Sequence, residues 1–239
     1  MILIFDIDDT IYDLMEPFEK AHKEIFETRT DMPCVTLFMN SRIYSDEILE
    51  KEKQGLIPSK DCFFLRIQRT YQDAGIVVSR EEGNEFERIY RSAQKVIHVN
   101  PDMEDILNCG KELKIPMGIV SNGNHKGQYA KIDALNLKRW FGEEHIFISG
   151  DVGWHKPDLR IFRAVEQAFH AEPEEIWYLG DTYEVDVTGG RNAGWNVIWF
   201  NHRNRECPEE RNSATMEVRT GEELKKAVMD LLQKKDNKK

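Results

Sequence analysis

The chain opens on MILIFDIDDTIYD (residues 1–13), in which the apolar run Ile2 to Phe5 meets Asp6, Asp8 and Asp9 with no polar approach. A run this short and this uniformly apolar fits a strand buried on both faces, as in a parallel sheet. Similar runs follow at IPMGIV (115–120), HIFI (145–148), IWYL (176–179) and NVIWF (196–200). Helical patterns lie between them. QYAKIDALNLKRWF places Tyr129, Ile132, Leu135 and Trp140 near helical spacing, and DLRIFRAVEQAFH does the same with Ile161, Val165 and Phe169. This alternation predicts an α/β fold with a doubly wound, Rossmann-like parallel sheet.

Residues 14–97 break the pattern. PFEKAHKEIFE, SDEILEKEKQ, DCFFLRIQRTYQ and EEGNEFERIYRSAQKVI are charged and helix-like, with hardly a strand signal among them. They predict a helical insert over 14–97 in a core domain made of 1–13 and 98–239. Asn100-Pro101 is the turn signal at the return, and MEDILNCGKEL leads back toward the sheet. Phe38, Tyr44, Phe63, Phe64 and Tyr71 in the insert read as packing residues rather than a base-stacking platform. Near the end, GEELKKAVMDLLQKK sets Leu224, Ala227, Val228, Leu231 and Leu232 on one helical face, and KKDNKK (234–239) reads as a frayed tail.

The 239 residues can bury a substantial core, and a formal net charge of −10 argues against nucleic acid polymers and anionic membranes as partners. An anionic small substrate then needs local positive charge. Cys34, Cys62, Cys109 and Cys207 are far apart and unpaired in pattern, which suits reduced thiols in a cytoplasmic protein. The first apolar run lacks a basic flank and meets Asp6 too early for a signal peptide, and no run approaches the length of a membrane span. Neither GNHKG (123–127) nor any other stretch carries a nucleotide-binding glycine pattern.

Ligands of an open parallel sheet bind beyond the carboxyl ends of its strands, so chemistry is sought after each apolar run. Asp6 and Asp8 follow the first, Ser121 the second, Ser149, Asp151 and then Lys156 the third, and Asp181 and Asp186 the fourth. Residues two apart in an extended segment point the same way, so Asp6 and Asp8 face one site and Asp9 points elsewhere. Crowded carboxylates repel one another, and a divalent cation that prefers oxygen, Mg2+ above all, is their natural neutraliser. Asp and Ser at strand ends also cap helices, but four such ends at once exceed what capping needs.

Asp6, Asp8 and Thr10 in DIDDT, Ser121 in VSNG, Lys156 in HKPD, and Asp181 and Asp186 in GDTYEVD, taken in this order, resemble the haloacid dehalogenase superfamily. The resemblance spans residues 1 to about 200 and implies a Mg2+-dependent phosphatase acting on a small phosphate ester. Asp6 would be the nucleophile that forms an aspartyl phosphate, and Asp8 the acid and then base. A like-charged neighbour should favour the protonated form of Asp8. Ser121 and the backbone N–H of Asn122 would hold phosphoryl oxygens, and Lys156 would stabilise the transferring group. Asp6, Asp8 and Asp181 would hold the metal, with Asp186 and Thr10 supporting and Glu184 a rival to Asp186. The insert sits where one branch of the family carries a cap. True dehalogenases of the family lack the acid at Asp8, and FDIDDTIYD with VSNGN resembles the nucleotidase-like branch. A phosphomutase of the same fold and a phosphoacceptor signalling domain are the alternative readings, and a monomer or homodimer the expected assembly.

Overall fold

The structure, a computed structural model, describes residues 1–236 and divides the chain into two compact units, Met1–Asp13 with His98–Lys239 and Leu14–Ile97. In the first unit β1 (Ile2–Phe5) is wholly buried. In the second, four helices follow one another: α1 (Met15–Ile25), α2 (Cys34–Lys53), α3 (Ser59–Gln72) and α4 (Arg80–Ala93). They close on an aromatic core in which Phe26 and Tyr71 lie 4.0 Å apart and Phe18 and Phe86 meet edge to face at 5.3 Å. Phe38 and Tyr71 are buried there. Phe63 and Phe64 are half-buried beneath Arg66 and Arg80, and the Tyr44 hydroxyl donates to Asp73. A capping box between Ser79 and Glu82 starts α4.

The first unit resumes with α5 (Pro101–Glu112), whose N-cap Asn100 accepts from the Asp102 N–H. The Asn100 N–H donates to the Ile11 carbonyl, joining the two chain ends from which residues 14–97 depart. Then come β2 (Met117–Ser121), α6 (His125–Ala134), β3 (Ile146–Ile148), α7 (Ser149–Val152), α8 (Leu159–Phe169), β4 (Ile176–Gly180), α9 (Thr188–Asn192), β5 (Asn196–Phe200), β6 (Met216–Val218) and α10 (Gly221–Asp236). The six strands form one sheet in the order β3-β2-β1-β4-β5-β6, all parallel. The winding direction reverses at β1, so the crevice for a ligand opens where β1 and β4 end, at Asp6 and Asp181.

Three details differ from the sequence reading. β6 is an additional strand of three residues at the sheet edge, with Glu217 at its centre, too short and too polar to register as an apolar run. The helix expected through Trp140 ends at Ala134, because Asn136 turns left-handed at φ 50° and a separate helical turn carries Leu137–Arg139. α10 runs on to Asp236, so KKD of the tail is helical, and residues 237–239 lie outside the described residues. Leu224, Val228 and Leu232 form its buried stripe. Among the described residues no helix is long and apolar enough to cross a membrane.

Candidate active site

β1 ends in the middle of the sheet, and the Asp6 N–H still donates to the Leu179 carbonyl at 2.9 Å, so the ladder fixes the Asp6 backbone. Its side chain is buried, and Lys156 Nζ donates to Oδ1 at 2.7 Å. The same ammonium donates to Asp186 Oδ1 and to the Tyr178 hydroxyl, each at 2.7 Å, while Tyr178 in turn donates to Asp186 Oδ1 at 2.7 Å. Burial opposes the charge on Lys156, but Asp186 and Asp6 outweigh it and hold the amine protonated well above its ordinary range. For Asp6 burial dominates: together with Asp186 and Asp8 it pushes the carboxyl up to about 6 against the pull of Lys156.

Asn122 fixes the lysine's backbone. Its side-chain N–H donates to the Lys156 carbonyl at 3.0 Å, and its Oδ1 accepts from the Lys156 N–H at 2.8 Å. Ser121 is buried at the end of β2, where Gln128 Nε2 donates to its Oγ at 3.2 Å. Ser149 braces the next turn, accepting from the Gly123 N–H at 2.9 Å.

Asp186 sits in a wide helical turn, Tyr183–Val187, directly after Asp181. Its Oδ2 accepts from the Thr182 N–H, and the carboxylate packs so tightly on Gly180 that a Cβ there would lie 2.5 Å from Asp186 Cγ. Only glycine admits this approach. Asp186 is buried while Glu184 is exposed, so Asp186 is the acid that the fold turns inward. Asp181 carries the strongest sign of unmet charge. Burial raises its carboxyl well above the ordinary range, the neighbouring acids add to this, and Arg205, with Nη2 3.1 Å from Oδ2, opposes them. One carboxylate oxygen each of Asp6, Asp181 and Asp186 come within 4.8 Å of one another, an all-oxygen set suited to a hard divalent cation.

Asp8, expected with Asp6 and Asp181 at the metal, is not in that set: Asp186 stands in its place, and the Asp8 side chain is held by other partners. Lys131 Nζ donates to both of its carboxylate oxygens at 2.6 Å, Tyr12 donates to Oδ1 at 2.6 Å and Gln128 Nε2 to Oδ2 at 3.1 Å. Burial alone would raise the Asp8 carboxyl, but the Lys131 charge and these hydrogen bonds hold it below the ordinary range. The expectation that a like-charged neighbour would favour its protonated form is therefore corrected: the cation beside it decides. Thr10 is buried close by, its hydroxyl without a protein partner.

Asp9 is turned away at φ 60°, but it is no solvated turn residue. It is 3% exposed and engaged by Arg203, through Nε to Oδ2 at 3.0 Å and Nη2 to Oδ1 at 2.7 Å, while His202 Nε2 donates to its backbone carbonyl at 2.9 Å. Arg203 also reaches Asp13, so the loop after β5 ties down the segment after β1. Asp9→Asn is expected to lower the stability of this unit by about 3 kcal/mol, the scale for breaking a buried ion pair, or roughly 8 °C in Tm. Thermal unfolding followed by circular dichroism checks it. Activity below the melt should fall far less than for changes at Asp6 or Asp8.

His125 is exposed and pairs with Asp151 at 3.0 Å, and His155 is exposed beside the buried Lys156. Sequence reasoning did not reach Gln128, Lys131, Tyr178, Arg203 or Arg205. A signal existed for Gln128: the α6 register that buries Ile132 also turns it inward, a polar residue on an apolar face.

A doubly wound sheet whose central strands end in converging aspartates around one buried lysine defines a class of α/β enzymes with acidic centres. Within it, the chain belongs to the haloacid dehalogenase-like hydrolases, whose family model matches residues 1–194. It is similar to the glyceraldehyde 3-phosphate phosphatase of Pyrococcus furiosus, at 30% identity over 84% of this chain and 80% of that protein. It is also 37% identical to the pyrimidine 5'-nucleotidase YjjG of Escherichia coli, over 39% of this chain and 41% of the other. Among solved structures, Bacillus subtilis YfnB bound to magnesium shares the fold, with a TM-score of 0.68, 23% identity, and coverage of 95% of this chain and 97% of that one.

Proposed function

We propose that this protein is a Mg2+-dependent phosphatase that hydrolyses a small phosphate monoester through an aspartyl phosphate on Asp6. The observation that carries this reading is the second acid: Asp8 stands two residues after Asp6 and has a cation of its own, Lys131, while Lys156 serves Asp6. A halide leaves carbon without a proton, whereas the oxygen that leaves a phosphate ester needs a proton donor, and hydrolysis of the intermediate then uses the same group as acceptor. The phosphatases among its relatives support the same reading.

In the first half-reaction an Asp6 carboxylate oxygen forms a bond to phosphorus, the ester P–O bond breaks, and Asp8, a carboxylate beside Lys131 in the free protein that must take up a proton as the ester binds, gives that proton to the leaving oxygen. In the second, Asp8 takes a proton from water, whose oxygen attacks phosphorus as the Asp6–phosphorus link breaks and inorganic phosphate leaves. Lys156 neutralises charge on Asp6 and on the transferring group, and Ser121 with the Asn122 N–H receives phosphoryl oxygens. Asp6, Asp181 and Asp186 would hold the cation, which supplies charge neutralisation to the phosphoryl oxygens. The protein is read as cytoplasmic, with residues 1–13 and 98–239 as the catalytic domain. Residues 14–97 act as a cap that selects the substrate.

The test is a panel of phosphate esters, from triose and sugar phosphates to nucleoside monophosphates, with phosphate release as the readout. Turnover is expected to vanish with a chelator and to return with added Mg2+. Chelator-insensitive release contradicts the metal assignment. Comparable rates on nucleotides and on simple esters rule out the nucleotidase branch. Glucose 6-phosphate formed from the 1-phosphate without phosphate release selects the phosphomutase.

A further inference from the structure

A second device lies at the same site, on α6, a helix that carries none of the motif residues. α6 presents Gln128 and Lys131, one helical turn apart, toward the segment after β1. Gln128 is 3% exposed, and its Nε2 reaches Asp8 Oδ2 at 3.1 Å, Ser121 Oγ at 3.2 Å and the Asn122 carbonyl at 2.7 Å. Lys131, whose side chain is 14% exposed, engages both Asp8 oxygens at 2.6 Å, and the Tyr12 hydroxyl adds a third donor at 2.6 Å. The three side chains that hold the Asp8 carboxylate all donate to it, and two of the three belong to α6.

We propose that Lys131, with Gln128 and Tyr12, is a positioning clamp that sets the direction in which Asp8 exchanges protons with the reacting ester, and that α6 couples this placement to the phosphoryl-binding turn at Ser121 and Asn122. The inference rests on the reading of Asp8 as acid and base given above. An aspartate carboxylate rotates about two bonds, and proton transfer needs its oxygen within hydrogen-bond reach of the leaving group. A cation bonded to both oxygens removes that rotation without touching the ester. Gln128 then sets Asp8 and Ser121 at a fixed separation, so the acid and the phosphoryl group that it serves share one frame.

The discriminating observable is leaving-group dependence. kcat/KM reports events up to departure of the leaving group. A 4-nitrophenolate leaves without a proton and a 4-methoxyphenolate needs one, so only esters of the second kind depend on a well-placed acid. Lys131→Met in the full chain is expected to lower kcat/KM for 4-methoxyphenyl and phenyl phosphate by about 50-fold, and for 4-nitrophenyl phosphate by less than about threefold, with KM little changed throughout. Lys131→Arg is expected to recover most of the loss. Tyr12→Phe, which removes a hydroxyl and no charge, should show the same selectivity at smaller amplitude, so the outcome does not depend on the folding of Lys131→Met alone.

Equal losses across the series, or a uniform rise in KM that puts Lys131 on the substrate itself, overturn the clamp. Asp8→Asn in the same series separates the two claims. If it shows the steep leaving-group dependence and Lys131→Met does not, the clamp fails and the acid stands. If Asp8→Asn shows none, the reading of Asp8 as the acid fails with it.

Discussion

Asp6→Asn is expected to abolish phosphate release, with a loss of roughly 10^4-fold or more in kcat, as for removal of a covalent nucleophile. The size follows from the geometry. Lys156 occupies Asp6 Oδ1 at 2.7 Å, and the backbone of Asp6 is pinned by the Leu179 carbonyl, so the carboxylate is aimed before any ester arrives. An amide at this position keeps the shape and loses the nucleophile. It can also turn an N–H toward the Lys156 ammonium, which needs an acceptor. Steady-state assays with a colorimetric phosphate readout check the loss, and a melting curve within a few degrees of the unaltered protein shows that the site rather than the fold has failed. Retention of a tenth of the activity would remove Asp6 from the role of nucleophile.

The second large effect is at Lys156. Its Nζ is the only cation bonded to both Asp6 and Asp186 among the described residues, and its side chain is 2% exposed. Lys156→Met, of similar length and without charge, is expected to lower kcat by roughly 10^3-fold, the range for losing a preorganised charge aimed at a transition state. It also leaves Asp6, Asp186 and Asp181 facing one another without that cation, at a further stability cost of about 3 kcal/mol. Lys156→Arg should not rescue activity. A planar guanidinium cannot replace a compact ammonium bonded to Asp6, Asp186 and Tyr178 within 2.7 Å of each. The kcat and the denaturation midpoint of both variants check this, and activity within tenfold of the original for Lys156→Met would contradict it.

The sheet was legible because buried parallel strands are written as short apolar runs. Ile2–Phe5 and Ile176–Gly180 need no other context, whereas β6 escaped because a three-residue edge strand built around Glu217 leaves no such trace. Candidate site residues were visible where a strand ends in an acid or a hydroxyl, since topology brings strand ends together. What stayed hidden depends on side chains that meet across the fold. Lys131 lies 123 residues from Asp8, and Arg203 lies 194 residues from Asp9. Neither spacing carries periodic information. The acidity of Asp8 was read with the wrong sign for that reason: its near neighbours in the sequence are acids, and its near neighbour in space is an ammonium. Asp9 was likewise read only as pointing elsewhere, because nothing local shows Arg203, which engages it across the fold.

The most direct test of Asp6 as the seat of a covalent intermediate is rapid-quench trapping with a 32P-labelled monoester. With 4-nitrophenyl phosphate, whose leaving group departs without a proton, the Asp8→Asn variant still forms the intermediate but lacks the base for its hydrolysis, so the intermediate should accumulate. Peptide mapping of the acid-quenched protein should place the label on the peptide that holds Asp6, and the label should be absent from Asp6→Asn. Label on another peptide, or release of labelled phosphate with no protein-bound label at any quench time, would contradict it.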